Sequence, residues 1–500
     1  MEHITKKLYL CIGKVVHDQL PPNSPRAGMQ QGYEVVAVRC AKLSLFFMKS
    51  DILIIGGGAS GLMAAYSAAR NAADNGNDIL VTVLEKMPRP GRKIMITGKG
   101  RCNFTNVKAW NDFSAHIRSN PNFVKSAFHS LPSEKVVGFF EGFGVKTVVE
   151  RGDRAFPASY HASDIVDGLV NACYSVGVKI ITESEVTGIT FPGKEGGEFI
   201  ATLATGDRYS GRRLIIATGG MSYPATGSTG DGYGWAHNAG HRITPTFPAL
   251  TALVPKGYKD TALKGHIDRG TPLSELGTTL CGIQLKNINV TLRIEGNDTD
   301  TEFGDIDFTD GGIEGPVGFQ LSRKAVKAMV NGSKAALSLD LKAGVGLTEL
   351  TERVKELWKE VDRDPRSRNL REKEKCRILL GKLMPWDLIP AFNAMHPEII
   401  TLERRGRTDT KVWINLVSIA KALKDWTFEL SGYVGYERAV VTAGGVSTDE
   451  IVAKTMESRL VPGLYFCGEV TDMDCDTGGY NLQAAFCTGS LAGTSASKSL

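Results

Sequence analysis

The sequence predicts an α/β protein in which a dinucleotide-binding domain is interrupted by a middle section of different character. The first observation is a strand–turn–helix–strand unit over residues 51–85, and the second is another βα unit that begins at Leu464. Beyond Pro245 the chain changes to alternating strands and charged helical stretches. Because α/β segments lie on both sides of this section, we interpret it as an insertion into one dinucleotide-binding domain.

Length and composition describe an ordinary globular protein. The 500 residues are 42% hydrophobic and 23% charged, which predicts two or three domains. No apolar run approaches the roughly 18–20 residues of a membrane-spanning helix. Nine scattered cysteines without a CxxC pair favour reduced thiols in a cytoplasmic protein, and we expect no metal site.

The distribution of charge gives no support for a nucleic acid partner. The formal net charge is +5, but residues 1–47 hold six Lys/Arg and only three Asp/Glu. The remaining chain carries 53 basic and 51 acidic residues. We therefore expect a small-molecule substrate, with no nucleic acid or membrane partner, while the oligomeric state stays open.

Residues 1–47 differ from the rest of the chain. Pro21, Pro22 and Pro25 break any helix there, and Met48 directly precedes the first strong strand. Our hypothesis is that translation begins at Met48 and that 1–47 is a mispredicted extension. A disordered tail is the alternative.

The strongest motif is the glycine-rich turn between the first strand and the first helix. Gly56 permits a tight turn, Gly58 lets the backbone approach a pyrophosphate, and Gly61 lets the helix lie close to the sheet. The N-terminus of this helix offers free N–H groups to phosphates. Glu85, at the end of the second strand, is placed to bind a ribose hydroxyl. Flavoproteins and nicotinamide enzymes share this fingerprint, so the turn alone leaves both open.

Three further segments favour a flavin. The basic, glycine-rich loop 97–106 can wrap phosphates and a ribityl chain, with Asn103 as donor and acceptor. The strand 214–220 ends in small residues, where a cofactor can pass close to the backbone. Two glycines open the last helix within 478–483, and a helix N-terminus stabilises negative charge on a reduced flavin ring.

Apolar spacing predicts the remaining elements. Helices are expected over 123–143, 163–176 and 348–382, and strand-like sections over 283–295 and 410–434.

Taken together, the motifs resemble the family of NAD(P)/FAD-dependent oxidoreductases called aminoacetone-oxidase-like, which includes the bile-acid-inducible 3-dehydro-bile acid delta(4,6)-reductases. The matching stretches span residues 51–493 and are IIGGGASGLMAA, GRKIMITGKGRCNFTN, IIATGGMSYPATGSTGDGYGWA, FTDGGIEGPV and GLYFCGEVTDMDCDTGGYNLQAAF. The resemblance implies a glutathione-reductase-type FAD-binding domain with an inserted β-barrel domain and a small helical insert. We place the FAD-binding domain at 48–245 and 436–500, the β-barrel-like domain at 246–345 and 409–435, and the helical insert at 346–408.

The resemblance also implies which residues contact FAD. The predicted cofactor-binding residues are Gly56, Gly58, Ala59, Ser60, Gly61, Glu85, Lys86, Arg92, Lys93, Gly100, Arg101, Cys102, Asn103, Val186, Ala217, Thr218, Gly219, Gly468, Glu469, Gly479, Tyr480, Asn481 and Leu482. One departure concerns the inserted section, where the family usually has THxGxSGP. Here Asp310 and Glu314 replace a histidine and a serine, so the substrate preference of relatives does not transfer directly if this loop faces the active site.

The activity that the resemblance implies is hydride exchange through flavin N5. The reductant would be NAD(P)H, bound transiently, and the substrate a small organic molecule such as an unsaturated ketone of steroid or bile-acid type. A nicotinamide-only dehydrogenase and an FAD-dependent tRNA-modifying protein are the alternatives. Five residues are acid–base candidates, although the sequence singles out none as catalytic: His161, Tyr223, Asp231, His237 and Tyr480.

Two of the predicted site residues have a second interpretation. Cys102 follows Arg101, which would favour a thiolate, but packing against the flavin is the preferred interpretation. Asp231 could equally cap the helix that begins near Gly232.

Overall fold

A computed structural model describes residues 47–193, 196–405 and 409–500. The predicted extension 1–47 therefore lies outside the described residues except for Phe47. The strands are β1 (Phe47–Ile55), β2 (Val81–Leu84), β3 (Thr105–Asn106), β4 (Thr147–Glu150), β5 (Arg154–Pro157), β6 (Lys179–Ile181), β7 (Val186–Thr190), β8 (Phe199–Leu203), β9 (Arg208–Ile216), β10 (Ile243–Ala249), β11 (Leu253–Pro255), β12 (Gly265–Ile267), β13 (Gln284–Ile294), β14 (Asn297–Thr309), β15 (Gly312–Glu314), β16 (Ala335–Asp340), β17 (Ile400–Arg405), β18 (Asp409–Ile414), β19 (Trp426–Val434), β20 (Val441–Val446), β21 (Ile451–Val452), β22 (Glu457–Ser458) and β23 (Leu464–Phe466).

Helices alternate with these strands in the first and last parts of the chain and cluster between β16 and β19. They are α1 (Ala59–Asp74), α2 (Arg92–Ile96), α3 (Trp110–Ser114), α4 (Pro121–Ser130), α5 (Ser133–Gly142), α6 (Ala162–Ser175), α7 (Asp231–Asn238), α8 (Glu275–Leu280), α9 (Gly315–Val330), α10 (Leu347–Arg363), α11 (Glu372–Leu383), α12 (Ile389–Met395), α13 (Leu416–Lys424) and α14 (Tyr480–Lys498).

The first sheet joins the two ends of the chain. Its order is β21-β22-β23-β9-β1-β2-β6, with β1 parallel to both β2 and β9 and with β23 parallel to the end of β9. The hairpin β7–β8 pairs with the beginning of β9 through β8. Strand β1 is buried along Ile52–Ile55, as expected for a parallel strand covered on both faces. The expected meeting of residues 51–85 with the C-terminal βα unit is thus observed.

Helix α14 packs directly on α1, and two glycines allow this close approach. A Cβ at Gly489 would lie 2.3 Å from the Ser60 carbonyl oxygen, and one at Gly493 would lie 2.0 Å from that of Ala64. Real side chains do not tolerate such distances, so the contact requires glycine at both positions. The last helix is therefore fixed against the helix that follows the glycine-rich turn.

The second sheet contains the strands of the middle section. Its order is β11-β15-β14-β13-β16-β19-β12, and β11 pairs with β19 as well as with β15. A separate hydrophobic core joins this sheet to the neighbouring helices, with Leu292 and Leu337 from the strands and Leu350, Leu379 and Phe392 from α10, α11 and α12. Strand β10 pairs with β20 where the chain enters and leaves this section.

Three predicted elements need correction. The section 410–434 is not continuous strand, because α13 lies between β18 and β19; Asn415 caps this helix by accepting a hydrogen bond from the Ser418 N–H. The predicted helix 123–143 is split into α4 and α5 around Pro132, which lacks an N–H. The predicted helix 348–382 is likewise two helices, with Pro365 between them.

None of the helices in residues 47–193, 196–405 and 409–500 combines the length and apolar character needed to cross a membrane.

Candidate functional site

A cleft of about 710 Å³ opens at the carboxyl ends of β1, β2 and β9. Gly58, from the glycine-rich turn, and Asn481, from the first turn of α14, both line it. The carboxyl ends of parallel strands are the usual ligand site of such sheets. The central expectation from the sequence, that two remote stretches meet around one site, is confirmed by this shared cleft.

The three motif glycines have different neighbours, and only two of them line the cleft. Gly56 has a φ of 103°, and a Cβ there would lie 2.5 Å from the Ala217 carbonyl oxygen. A Cβ at Gly61 would lie 1.9 Å from the Gly56 carbonyl oxygen, so Gly61 serves the packing of helix on turn. Gly58 is different, because, apart from its chain neighbours, no atom of the described residues lies within 4 Å of the position of its Cβ. The space beside Gly58 is therefore left for a ligand.

The N-terminus of α1 carries free donors at this point. Gly58 is its N-cap residue, no side chain caps the helix, and its first turn contains no acidic residue. The unpaired N–H groups and the helix dipole make this end attractive to an anion. A diphosphate fits this position by charge and by hydrogen bonding.

Glu85 holds the end of β2 against the glycine-rich turn. Its carboxylate accepts hydrogen bonds from the Gly57 N–H at 2.7 Å and the Met87 N–H at 2.8 Å. Burial raises the pKa of Glu85, whereas these two N–H groups, Lys86 and Arg92 act to lower it. The carboxylate still has free lone pairs and lines the cleft, so it can accept bonds from ribose hydroxyls.

Two ion pairs lie along the cleft. Lys93 Nζ is 3.0 Å from Glu469 Oε2, and Lys86 Nζ is 2.7 Å from Asp231 Oδ2. The other oxygen of Glu469 accepts a hydrogen bond of 2.7 Å from the Thr442 N–H. All four charged side chains line the cleft, and each charge is already balanced by its partner.

The middle section and the adjoining Arg438 form a second wall of the cleft, which contains charged side chains. Arg438 Nε donates to Glu314, and Arg438 Nη1 donates to Asp310 Oδ1 at 2.6 Å. Burial disfavours the charge on Arg438, but the bonds to Glu314 and Asp310 outweigh this effect and raise its pKa. Glu314 lines the cleft. Of the two acids that distinguish this chain from the family it resembles, Glu314 therefore faces the site and Asp310 does not line it, although both bind Arg438.

Arg269 reaches the same wall from the loop after β12. Its guanidinium is exposed and has no carboxylate within 4 Å among the residues that the structure describes. The loop is held by Lys259, a buried residue whose Nζ donates to the Thr271 carbonyl at 2.6 Å and to that of Arg269 at 3.3 Å. Burial lowers the pKa of Lys259.

The structure brings most of the predicted cofactor contacts together. Those that line the cleft are Gly56, Gly58, Ala59, Ser60, Glu85, Lys86, Arg92, Lys93, Val186, Ala217, Thr218, Gly219, Glu469, Asn481 and Leu482. Those that do not line it are Gly61, Gly100, Arg101, Cys102, Asn103, Gly468, Gly479 and Tyr480.

The residues off the cleft have contacts of their own. Arg101 binds Glu150 at 2.7 Å and lies over Tyr160, so it faces away. Cys102 is fully buried, and burial raises the pKa of its thiol to about 12, which excludes the thiolate and favours packing. Asn103 Oδ1 is buried, has no hydrogen-bond partner within the described part of the chain and lies beside Gly479. Tyr480 is stacked on His116, with the ring centroids 4.2 Å apart.

Of the five acid–base candidates, only Tyr223 and Asp231 line the cleft. His161 and His237 are exposed on the surface, and Tyr480 is buried. Asp231 is the first residue of α7, after the N-cap Gly230, and makes no capping bond, so the capping interpretation is wrong. Its carboxylate binds Lys86 instead.

Sequence reasoning missed the wall formed by Arg269, Phe319, Arg438 and Val440. Arg438 and Val440 share the loop between β19 and β20, whereas Arg269 and Phe319 lie more than 100 residues earlier, so the four form no local motif. The one available signal was the pair of acids at 310 and 314, because acids inside a predicted site require a basic partner.

FAD fits the residues of the cleft. The space at Gly58, the free N–H groups of α1 and the carboxylate of Glu85 match a diphosphate next to a ribose. Thr218 lines the same cleft, but its Oγ1 is buried beside Gly232 and has no hydrogen-bond partner in the described residues.

The fold, the cleft and the comparisons define the class of protein: a Rossmann-type FAD-dependent oxidoreductase. The family model described as "HI0933-like protein Rossmann domain" matches residues 50–495. The chain belongs to this family, and the resemblance found in its motifs is confirmed.

Three curated relatives are similar over nearly their whole length. A 3-dehydro-bile acid delta(4,6)-reductase from Clostridium scindens is 30% identical over 89% of this chain and 98% of its own. A ribosomal RNA dihydrouridine synthase from Haemophilus influenzae is 31% identical over 87% of this chain and 96% of its own. The protein of the same name from Escherichia coli is 29% identical over 87% and 95%.

Proposed function

We propose that this protein is an FAD-dependent reductase of carbon–carbon double bonds conjugated to a carbonyl group. The observation that carries the proposal is one cleft, which the nucleotide-binding turn shares with the phenol of Tyr223 and the guanidinium of Arg269, neither of which has a side-chain partner among the described residues. The names of the relatives support the same chemistry, since a delta(4,6)-reductase and a dihydrouridine synthase each saturate a ring double bond. In a 3-ketosteroid and in uracil this double bond adjoins a carbonyl.

The predicted residues that line the cleft are proposed to hold the cofactor. Gly58 and the N-terminus of α1 would bind the diphosphate, Glu85 the ribose, and Asn481 and Leu482 the ring. When bound, FAD supplies two electrons and one hydrogen as a hydride from N5. The protein must then position the substrate, exclude water and supply a proton.

NAD(P)H is proposed as the transient reductant. The sequence contains no second GxGxxG after a strand, so a separate nicotinamide domain is not evident. The glycine-rich turn alone also fits a nicotinamide-only dehydrogenase. We favour the FAD-dependent class, because a nicotinamide-only enzyme leaves the C-terminal motif that lines the cleft without a role.

The finer architecture and setting also belong to the proposal. We infer that the middle section closes into a barrel, because β11, at one end of the strand order, pairs not only with its neighbour β15 but also with β19 near the other end. The division into domains at 245/246 and 435/436 agrees with the two separate hydrophobic cores. The cytoplasm remains the proposed location, since the thiols of Cys102, Cys467 and Cys475 are free and buried.

The test begins with anaerobic reduction of the holoenzyme by NADH and, separately, by NADPH. The reduced enzyme is then mixed with 4-androstene-3,17-dione, which contains the conjugated double bond, or with 5α-androstane-3,17-dione, which lacks it. We expect reoxidation of the flavin by the first ketone alone, with the saturated ketone as product. Reoxidation by oxygen only, with neither the ketones nor the uracil of ribosomal RNA reduced, would overturn the proposal.

Uracil within ribosomal RNA is the second candidate substrate. Two dihydrouridine synthases that match over 95% or more of their own length favour it. The near balance of 53 basic and 51 acidic residues after residue 47 favours a small molecule instead. Incubating the reduced enzyme with dihydrouridine-free ribosomal RNA and assaying for dihydrouridine separates the two.

A further inference from the structure

Tyr223 occupies an unusual position at the charged wall of the cleft. Its ring lines the cleft, and its hydroxyl donates to no protein acceptor in the described part of the chain. Its backbone, in contrast, is held firmly: the N–H donates to the Tyr436 carbonyl at 2.8 Å, and the carbonyl accepts from the N–H of Thr226 at 2.8 Å. The main chain is fixed while the phenol is left for a ligand.

The backbone of Tyr223 is strained. It has a φ of 51° and a ψ of 65°, in the left-handed region that bulky residues avoid, and it directly precedes Pro224. Such a conformation costs about 1–3 kcal/mol and persists where the surroundings impose it, most often at functional sites. A glycine would adopt it without strain, so the tyrosine side chain has a use that outweighs this cost.

The charges around Tyr223 suit a proton donor. Burial raises the pKa of its phenol above the ordinary value, so the group is protonated at neutral pH. Arg438 and Arg269 favour the phenolate, whereas Glu314 disfavours it. The negative charge that would remain after loss of the proton therefore meets two guanidinium groups.

The carboxylates of the cleft are already engaged. Glu85 is bound by backbone N–H groups, Asp231 by Lys86, Glu314 by Arg438 and Glu469 by Lys93. These carboxylates are bound by protein donors, whereas Tyr223 offers the cleft an uncharged O–H group that binds no protein acceptor among the described residues.

We infer that Tyr223 is the catalytic proton donor of the reductase, an assignment that rests on the proposed function. The β-carbon of the conjugated double bond receives the hydride, and the α-carbon receives the phenolic proton as the O–H bond breaks and the π electrons form the new C–H bond. The phenolate recovers a proton from water. The two electrons come from a reduced nicotinamide or an equivalent two-electron donor.

The test compares Tyr223→Phe with the wild type and with Tyr433→Phe. Tyr433 is a suitable control, because it is also a half-buried tyrosine with no hydrogen bond from its hydroxyl in the described residues, but it does not line the cleft. For Tyr223→Phe we expect unchanged FAD content, flavin reduction and melting temperature, since the hydroxyl has no protein partner. Affinity of the oxidised holoenzyme for 4-androstene-3,17-dione should stay within threefold.

Reoxidation of the reduced enzyme by this ketone should fall by about 10²- to 10⁴-fold, the usual contribution of a general acid. In D₂O the wild type should place deuterium on one face of the α-carbon, and Tyr223→Phe should place it on both faces. The wild-type rate should stay level as pH rises and decline only above 10, where the phenol ionises. A merely structural role for the hydroxyl would change neither the facial selectivity nor the pH profile.

The results separate two failures. If the wild type consumes neither the ketone nor uracil in RNA, the proposed function is overturned and the assignment of Tyr223 with it. If the wild type reduces the ketone and Tyr223→Phe does so within threefold of the same rate and with the same facial selectivity, the assignment alone is overturned. If the rate of ketone reduction falls equally in Tyr223→Phe and Tyr433→Phe, the assignment is also overturned, because Tyr433 lies outside the cleft.

Discussion

The two walls of the cleft differ in the chemical groups that they offer to a ligand. The wall around Gly56–Ser60 offers backbone N–H groups, open space and one helix terminus, and its geometry is set by glycines. The wall around Tyr223 and Arg438 offers side chains, four of them charged or phenolic, from segments far apart in sequence. Backbone recognition suits an invariant diphosphate, whereas side chains can be exchanged to suit a particular substrate.

The largest effect that we expect is a loss of stability in Gly61→Ala, which tests the packing role of this glycine rather than ligand binding. In Gly61→Ala the new Cβ would meet the Gly56 carbonyl oxygen at 1.9 Å, so we expect a loss of unfolding free energy of about 3 kcal/mol. Denaturant unfolding of the apoprotein measures it. Gly138→Ala is the control, because Gly138 is also helical and has open space around its Cβ. Equal stability of the two variants would contradict the packing role.

A similar loss is expected on the charged wall from Arg438→Met. It leaves Glu314, which is 12% exposed, and Asp310 without their cation, and removing one partner of a buried pair costs about 3 kcal/mol. Adding Glu314→Gln should restore part of the loss. Lys256→Met, which breaks an exposed pair with Glu429, should cost less than about 1 kcal/mol. Urea unfolding of the four proteins tests this, and a neutral Arg438→Met would refute it.

Gly58→Ala should separate cofactor binding from folding. Because nothing lies within 4 Å of the Cβ position, the apoprotein should be as stable as the wild type. The methyl group would occupy the space for the diphosphate, and FAD affinity should fall about 30-fold, or about 2 kcal/mol. Fluorescence titration of the apoprotein with FAD gives the value, with Gly234→Ala as the control outside the cleft. An unchanged affinity would place the diphosphate elsewhere.

The smallest effect is expected at Arg269. An exposed guanidinium contributes at most about 1 kcal/mol to an ion pair, so Arg269→Gln should raise the KM for a 3-keto-4-ene steroid with a carboxylate side chain about fivefold. The KM for the neutral 4-androstene-3,17-dione should not change, and added salt should abolish the difference. Lys264→Gln serves as the control, since Lys264 is exposed nearby but does not line the cleft. Equal changes for both ketones would exclude charge recognition by Arg269.

The same contrast explains how much of the molecule could be predicted from sequence. The glycine wall is encoded in one contiguous stretch with fixed spacing, and the predicted strand, turn, helix and Glu85 all lie where expected. The charged wall depends on Tyr223, Arg269 and Arg438 meeting in space, and no local pattern records that meeting. Similarly, the helix α13 was missed because a short amphipathic helix between two strands has an apolar spacing that also fits a strand.

In loop 97–106, some of the residues lie where the sequence predicted and others do not. Its residues 97–99 line the cleft, whereas Gly100, Arg101, Cys102 and Asn103 do not. Glycines and basic residues predicted a loop at the cofactor, and the beginning of this loop lines the cleft. The sequence could not indicate where the chain turns inward, since that depends on the left-handed φ of 54° at Cys102 and on burial of its side chain.

The pairing of β23 with the end of β9, and of α14 with α1, has a consequence for biogenesis. When the ribosome has completed α1 and β9, nearly half of the nascent chain is made, yet the edge of β9 and the small-residue face of α1 still await partners encoded at the very end. The middle section, with a core of its own, can fold meanwhile. The complete cleft therefore forms only when synthesis is almost finished, because Asn481 lies close to the C-terminus.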